Sequence, residues 1–279
     1  MPAQELPGIV LAPYGTLFPP ALATYSQIQK TYERIFPGSL IRLAFTSNLM
    51  RKRLREKEGI SIPSIQSALE ELCDEGLRSV VVQSLQIVPG GEFHQVAALA
   101  KELKERDPAF SRLEIGLPLL SSLPDCRRVS SLIPAFCSGG AYHRGPEKEA
   151  VLLVGHGTGH SADALYSLMY QVIREEHENV FLGTIEGFCG IDSLLPDLLG
   201  FGARVVRLLP FLLVAGGHAE NDIFGPAPQS WKSTLEKVGY EVVVDRRGLG
   251  DRAEIVSLFL EHTRNALGRM KILTNRYID

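Results

Sequence analysis

Short apolar, β-branched runs alternate with amphipathic stretches along the chain. Residues 8–12 (GIVLA), 40–45 (LIRLAF), a run within 78–88, and 113–117 have the pattern of buried strands. Between them, residues 22–36, 64–75 and 93–106 carry apolar positions at helical spacing, the second stopped by Gly76. A Ser/Gly/Pro-rich stretch at 137–146 reads as a linker, and the pattern then restarts. Strands are predicted at 150–154, 180–184, within 204–213 and at 240–244; helices at 163–176, 193–199, 230–238 and 253–267. Strand–helix alternation at this spacing predicts an α/β fold with parallel sheets. The linker divides the chain into an N-terminal α/β domain, 1–138, and a C-terminal α/β domain, 139–279.

The two halves resemble each other. Residues 65–92 align without gaps on 191–218, with identities at Ile65/Ile191, Leu69/Leu195, Gly76/Gly202, Arg78/Arg204, Val80/Val206, Gly90/Gly216 and Gly91/Gly217. The first strands end alike, in LAPYGT at Thr16 and LVGHGT at Thr158. Two similar α/β halves imply a cleft between them, and ligands of open parallel sheets bind outside the carboxyl ends of the strands.

Three strand ends carry the candidate chemistry. His156 follows the strand ending at Val154, Glu186 the strand ending at Thr184, and His218 the strand ending near Val214. The steps 186 − 156 and 218 − 186 are each one strand–helix–strand unit of roughly 30 residues. If those strands are neighbours, three polar side chains meet at one sheet edge. Two imidazoles and a carboxylate are a common set for a borderline divalent metal. Alone, either histidine reads as a strand-end residue bonded to backbone; the trio together reads as a metal site. Glycines flank both histidines (Gly155, Gly157, Gly216, Gly217) and are expected to keep the walls low for a ligand. His160 is expected to cap or line the cleft. Glu92, the repeat counterpart of His218, and His94 read either as cleft residues of the first half or as a solvated helix N-terminus. His143, His177 and His262 read as surface residues, and the basic run 51–57 as a solvated helix face or a surface meeting an acidic substrate.

Composition narrows the class. Of 279 residues, 45% are hydrophobic and 22% charged, which excludes a disordered chain or a collagen. The net charge of −3 gives no basic balance for nucleic acid. Four cysteines without a CxxC pair argue against a thiolate zinc site and for a reduced setting. The N-terminus lacks the basic and apolar regions of a signal peptide, and the longest apolar run, 208–217, is interrupted by Pro210 and too short to span a bilayer. A cytoplasmic protein with no membrane partner is expected. There is no P-loop, no GxSxG and no HExxH; GHGTGH from Gly155 lacks the third glycine of a dinucleotide fingerprint.

These residues resemble a known family. GHGTGHSADALY (155–166), GTIEG (183–187), LLVAGGHAENDIFG (212–225), AFTS (44–47), VVVQSLQIVPGGEFH (80–94), SWKSTLE (230–236) and RGLGD (247–251) are similar to the anaerobic sirohydrochlorin cobaltochelatases of the CbiK type, in order along nearly the whole chain. The resemblance implies the class II chelatase fold, ferrochelatase-like: two similar domains, each a small parallel sheet flanked by helices, with the active site in the inter-domain cleft. It implies that His156, Glu186 and His218 hold the metal and carry catalysis, and that Glu92 of the PGxE segment lines the cleft. The strand-end turns Tyr14, Gly15, Thr16 and Gly157, Thr158, with Gly217, are expected to contact substrate. Where the family's first strand usually ends in a Ser-Phe-Gly-Thr type sequence followed by a small polar residue, this chain reads Pro13-Tyr14-Gly15-Thr16-Leu17, so the pocket wall is expected to differ there.

The implied reaction is insertion of Co2+ into sirohydrochlorin on the early-insertion branch of cobalamin synthesis. No cofactor is expected beyond the substrate metal. Neutral imidazoles from His156 and His218 and the Glu186 carboxylate would hold a partly dehydrated cation, and a released group would accept a ring proton. Metal affinity is expected to fall below about pH 6, where protonation competes with metal for imidazole. Arg51, Arg53, Arg207 and Arg246 are candidates for the substrate carboxylates. Fe2+ or Ni2+ insertion by the same site is one alternative, since raw affinity does not select cobalt; a non-catalytic tetrapyrrole or metal carrier is the other. Family resemblance also implies a homo-oligomer.

Overall fold

The computed structural model describes residues 6–137 and 148–270; the expected linker beyond Cys137, and His143, lie outside the described residues. The chain divides into two compact units. Described residues up to Leu119 and from Val256 onward form the first, and Leu120 to Ile255 the second.

In the first unit four strands form a parallel sheet: β1 (Gly8–Ala12), β2 (Ile41–Leu43), β3 (Ser79–Ser84) and β4 (Arg112–Gly116), in the order β2-β1-β3-β4. Every residue of β1 and β3 is buried, as strands covered on both faces require. The register sets Ile9 beside Ile41 and Val10 beside Val82. Connections run through α1 (Pro19–Ile35), α2 (Asn48–Glu58), α3 (Ile65–Asp74) and α4 (Gly91–Arg106). Helix α1 starts on prolines, whose missing N–H costs nothing at a helix start, and buries Ala21, Tyr25, Ile28 and Tyr32 on one face. Helix α3 begins at Ser64, whose hydroxyl accepts from the Ser67 N–H.

The second unit repeats this plan. Strands β5 (Glu149–Gly155), β6 (Val180–Thr184), β7 (Val205–Pro210) and β8 (Glu241–Val244) form a parallel sheet in the order β6-β5-β7-β8. Its helices are α5 (Leu123–Cys137), α6 (Ala164–Glu176), α7 (Ile191–Phe201) and α8 (Trp231–Lys237). One core cluster joins Leu152, Val154, Phe181 and Leu208 to Leu198, Ile223 and Trp231.

Two helices depart from the expected boundary at 138/139. Helix α5 follows β4 in the chain yet packs against α6 in the second unit. The last helix, α9 (Ala253–Arg269), enters the first unit from Val256 on. There the Thr263 hydroxyl donates to Gln83 (2.8 Å) and meets the Tyr32 hydroxyl (3.0 Å). Gly116 leaves the space that Gln83 fills, since a Cβ there would overlap the Gln83 amide. His262 is buried rather than on the surface, its Nδ1–H donating to the Leu117 carbonyl (2.9 Å). His177 is half-buried, its Nε2–H donating to the Ser130 carbonyl of α5 (3.0 Å). Among the described residues no helix is long and apolar enough to cross a membrane, and Cys73, Cys126 and Cys189 are free thiols.

Candidate metal centre

The three strands that carry His156, Glu186 and His218 are neighbours, because β5 lies between β6 and β7. The β5–β6 ladder continues past the strand ends: Ile185 N–H donates to Gly155 (3.0 Å) and Glu186 N–H to the His156 carbonyl (2.7 Å). His156 and Glu186 are thus adjacent positions on the carboxyl edge of the sheet. After β7 the chain returns to the same edge and sets the His218 ring against that of His156, centroids 4.6 Å apart and planes at 85°.

Both imidazoles are anchored through Nδ1. In His156 the Nδ1–H donates to the Gly157 carbonyl (2.9 Å), which can only accept. In His218 Nδ1 bonds the Asp222 carboxylate (2.8 Å). Each neutral ring therefore keeps the Nε2 lone pair free. A backbone carbonyl or carboxylate on the second nitrogen is the usual support of a metal-ligating histidine. Asp222 was not among the expected residues; its signal was its place four residues after His218. His218 opens onto a π turn, Ala219–Ile223, closed by Phe224 N–H on the Ala219 carbonyl, a local form often found at functional sites. His156 is half-buried and His218 exposed. The Glu186 side chain is exposed; it is joined to His156 through the main chain. Among the described residues, no three His, Cys, Asp or Glu side chains close on one point as a metal cluster. The structure thus brings together the histidine pair, with Glu186 as its backbone neighbour.

A second missed residue fixes these loops. Asp163 Oδ1 accepts from the Thr158 N–H (3.0 Å) and Oδ2 from the Phe188 N–H (2.9 Å), joining the turn after β5 to the turn after β6. Gly157 has φ +78°, and a Cβ on it would lie 1.2 Å from the Glu186 carbonyl oxygen. Gly155 makes room for the Tyr166 ring, which a Cβ would approach to 2.6 Å. These two glycines were expected to lower a ligand wall; internal packing requires them instead. Gly217 meets nothing closer than Asn221 at 4.0 Å, so its open side is free. His160 caps the short turn before α6, its Nδ1 accepting from the Ala162 N–H (3.1 Å).

The sequence profile described as Cobalt chelatase (CbiK) matches residues 7–268. The chain belongs to the cobalt chelatase (CbiK) family. It is 34% identical over 273 residues to the sirohydrochlorin cobaltochelatase CbiKC of Nitratidesulfovibrio vulgaris, covering 96% of this chain and 95% of the relative. It is 33% identical over 224 residues to the sirohydrochlorin cobaltochelatase of Salmonella typhimurium, covering 80% and 82%. Among solved structures it is similar to SirB from Bacillus subtilis with Fe3+, at a TM-score of 0.64 and 14% identity over 95% of this chain and 97% of that one. That likeness shows the two-domain class II chelatase fold.

The first unit of this CbiK-family chain holds the expected residues Tyr14, Gly15, Thr16, Glu92 and His94, and the second holds Arg207 and Arg246. Tyr14 is exposed, Gly15 takes φ +112° against the Phe45 ring, and the buried Thr16 hydroxyl accepts from the Phe18 N–H (3.1 Å). The repeat extends to side chains. Tyr25 of α1 hydrogen-bonds the Gly15 backbone, as Tyr166 of α6 does that of Gly157, and burial pushes both phenols well above their usual range. Glu92 lies in the first turn of α4, where the helix dipole favours a carboxylate, and His94 follows on the same turn, its ring against Phe93. The arginine candidates separate. Arg207 is buried on Glu149 (2.6 Å), so it does not present its charge to a substrate. Arg246 pairs with Glu220 and lies over the Phe224 ring.

Proposed function

We propose that this chain inserts Co2+ into sirohydrochlorin, the reaction for which its Nitratidesulfovibrio and Salmonella relatives are named, in cobalamin biosynthesis. The observation that carries the reading is the pair of facing imidazoles, His156 and His218, each with Nδ1 committed and Nε2 free. Two nitrogen donors suit a borderline cation, and two neutral ligands hold it without the charge that would make release costly. Metal insertion replaces two protons of the macrocycle, so a base must take them. We assign that role to Glu186, exposed and joined to His156 through the main chain, and an imidazole freed as the ring nitrogens take over serves the same end. Phe188, two residues on and 84% exposed, offers an apolar ring beside Glu186 for the flat face of the macrocycle. Tyr14, Gly15, Thr16, Gly157, Thr158 and Gly217, at the strand-end turns, are assigned to substrate contact, as is Glu92 by family resemblance; the resemblance also supports a homo-oligomer, and the cysteine usage a cytoplasmic setting.

The test is metal insertion followed by absorbance under anoxic conditions, with Co2+, Fe2+ and Ni2+ each in turn. Enzyme-dependent multiple turnover with the highest kcat/KM for Co2+ is expected. Stoichiometric binding without turnover would make the protein a carrier, and faster Fe2+ or Ni2+ insertion would reassign its metal.

A further inference from the structure

A groove of about 440 Å³ lies in the first unit between α2 and α3. It is lined by Arg51, Lys52 and Arg55 on one side and by Ser61, Ser64 and Ser67 on the other. The three cations sit at i, i+1 and i+4 of α2, and with Asn48 they make one helix face. The start of α2 lies at the carboxyl edge of the first sheet. Ser47, the cap of α2, donates its N–H to the Tyr14 carbonyl (3.1 Å), and Phe45 N–H donates to Pro63 just before α3 (3.2 Å). The wall of the groove is therefore tied to the strand-end turn that holds Tyr14, Gly15 and Thr16.

Its charge is unbalanced. The one carboxylate in the lining, Glu71, faces Arg42 at 3.8 Å. Among the described residues Lys52 meets only Glu56, 3.9 Å away on its own exposed face. Among the described residues neither Arg51 nor Arg55 is paired with a carboxylate. Arg51 Nη2 bonds the Asn48 side-chain oxygen, while its Nε is buried with no partner. A guanidinium that lines the groove without a carboxylate partner, beside two further cations, suits an oxyanion. Of the four arginines that the sequence offered for an acidic substrate, Arg207 and Arg246 are already matched to carboxylates, and Arg53 does not line the groove.

We infer that this groove anchors a carboxylate side chain of the acidic tetrapyrrole, with Arg51 as its principal contact and Arg55 and Lys52 supplying the surrounding charge. The inference rests on the proposed reading of the substrate. Its test is titration of sirohydrochlorin without metal, followed by absorbance, into wild type, Arg51→Gln, Arg51→Gln with Arg55→Gln, and Lys57→Gln. Lys57 is on the same helix outside the groove, so it controls for net charge.

Kd is expected to rise about tenfold for each guanidinium removed, and not at all for Lys57→Gln. KM for insertion should rise in parallel while kcat changes by less than about twofold. Arg51→Lys, which keeps the charge but not the fork, should lie between wild type and Arg51→Gln. The methyl-esterified tetrapyrrole should bind wild type and the double variant alike. Equal Kd across all variants, or an ester bound by wild type as tightly as the acid, overturns the inference. Wild type that binds sirohydrochlorin with this pattern but never inserts metal sinks the chelatase reading and leaves the groove standing. Wild type that inserts metal while the variants keep their Kd sinks only the groove.

Discussion

A histidine that gives Nε2 to a metal must commit Nδ1 elsewhere, and the two at this sheet edge do so differently: His156 to a carbonyl, His218 to the Asp222 carboxylate. The carboxylate fixes the tautomer and makes the ring a better donor. Asp222→Asn keeps an acceptor but loses the charge, and should weaken Co2+ binding by about 10- to 100-fold. Titration of the visible Co2+ spectrum checks this; unchanged affinity would remove Asp222 from the site. Gly157 acts at the same scale through backbone geometry. Gly157→Ala must displace the Glu186 carbonyl and hold an L-residue at positive φ. It should cost at least about 2 kcal/mol in denaturant unfolding and lower the insertion rate. That His156, Glu186 and His218 come to one sheet edge was readable from spacing alone, because strand-end positions recur at a fixed step. Asp222 left only its four-residue spacing from His218 as a signal, since its role depends on a π turn, and Asp163 left none, since it joins two separate loops.

Among the elements, the strands of both sheets follow the apolar runs closely, because every residue of β1, β3 and β7 is buried and a buried strand has no polar face to confuse it. Helix α5 went unread. Its sequence carries Pro124 and Pro134, and its start is held instead by Asp125, whose carboxylate accepts from the Ser121 N–H and the Ser122 hydroxyl. The RGLGD segment after β8 opens with Arg247, whose guanidinium pairs with Asp245 (2.6 Å). Burial raises the Asp245 carboxyl, but hydrogen bonds from Arg247 and the charges of Arg247 and Arg252 outweigh it and hold the group below its usual value. A carboxylate lowered in the folded state stabilises fully above its unfolded value, near pH 3.9, and loses that contribution as pH falls through the folded value. Asp245→Asn should therefore be less stable than wild type at pH 7, with the gap narrowing toward pH 3. Urea unfolding at the two pH values measures it; an equal gap at both would show that the charge does not matter.

At the scale of the whole molecule, two copies of one four-stranded plan account for the repeat seen in sequence, strand for strand. The exchange of helices was not readable. A helix between two parallel strands is bound to their sheet by its crossover, whereas α5 and α9 each follow an edge strand, β4 and β8, and no returning strand fixes where they pack. The functional account depends less on that exchange than on the meeting of β5, β6 and β7 at one edge, which sets His156 against His218. Its most direct test is the anoxic initial rate of Co2+ insertion into sirohydrochlorin, at saturating tetrapyrrole, for wild type, His156→Ala and His218→Ala. Both variants should lose more than about a hundredfold while still binding the tetrapyrrole, a larger loss than removal of a supporting group produces. Rates within about twofold of wild type in either variant would contradict the assignment of the histidine pair as the metal centre.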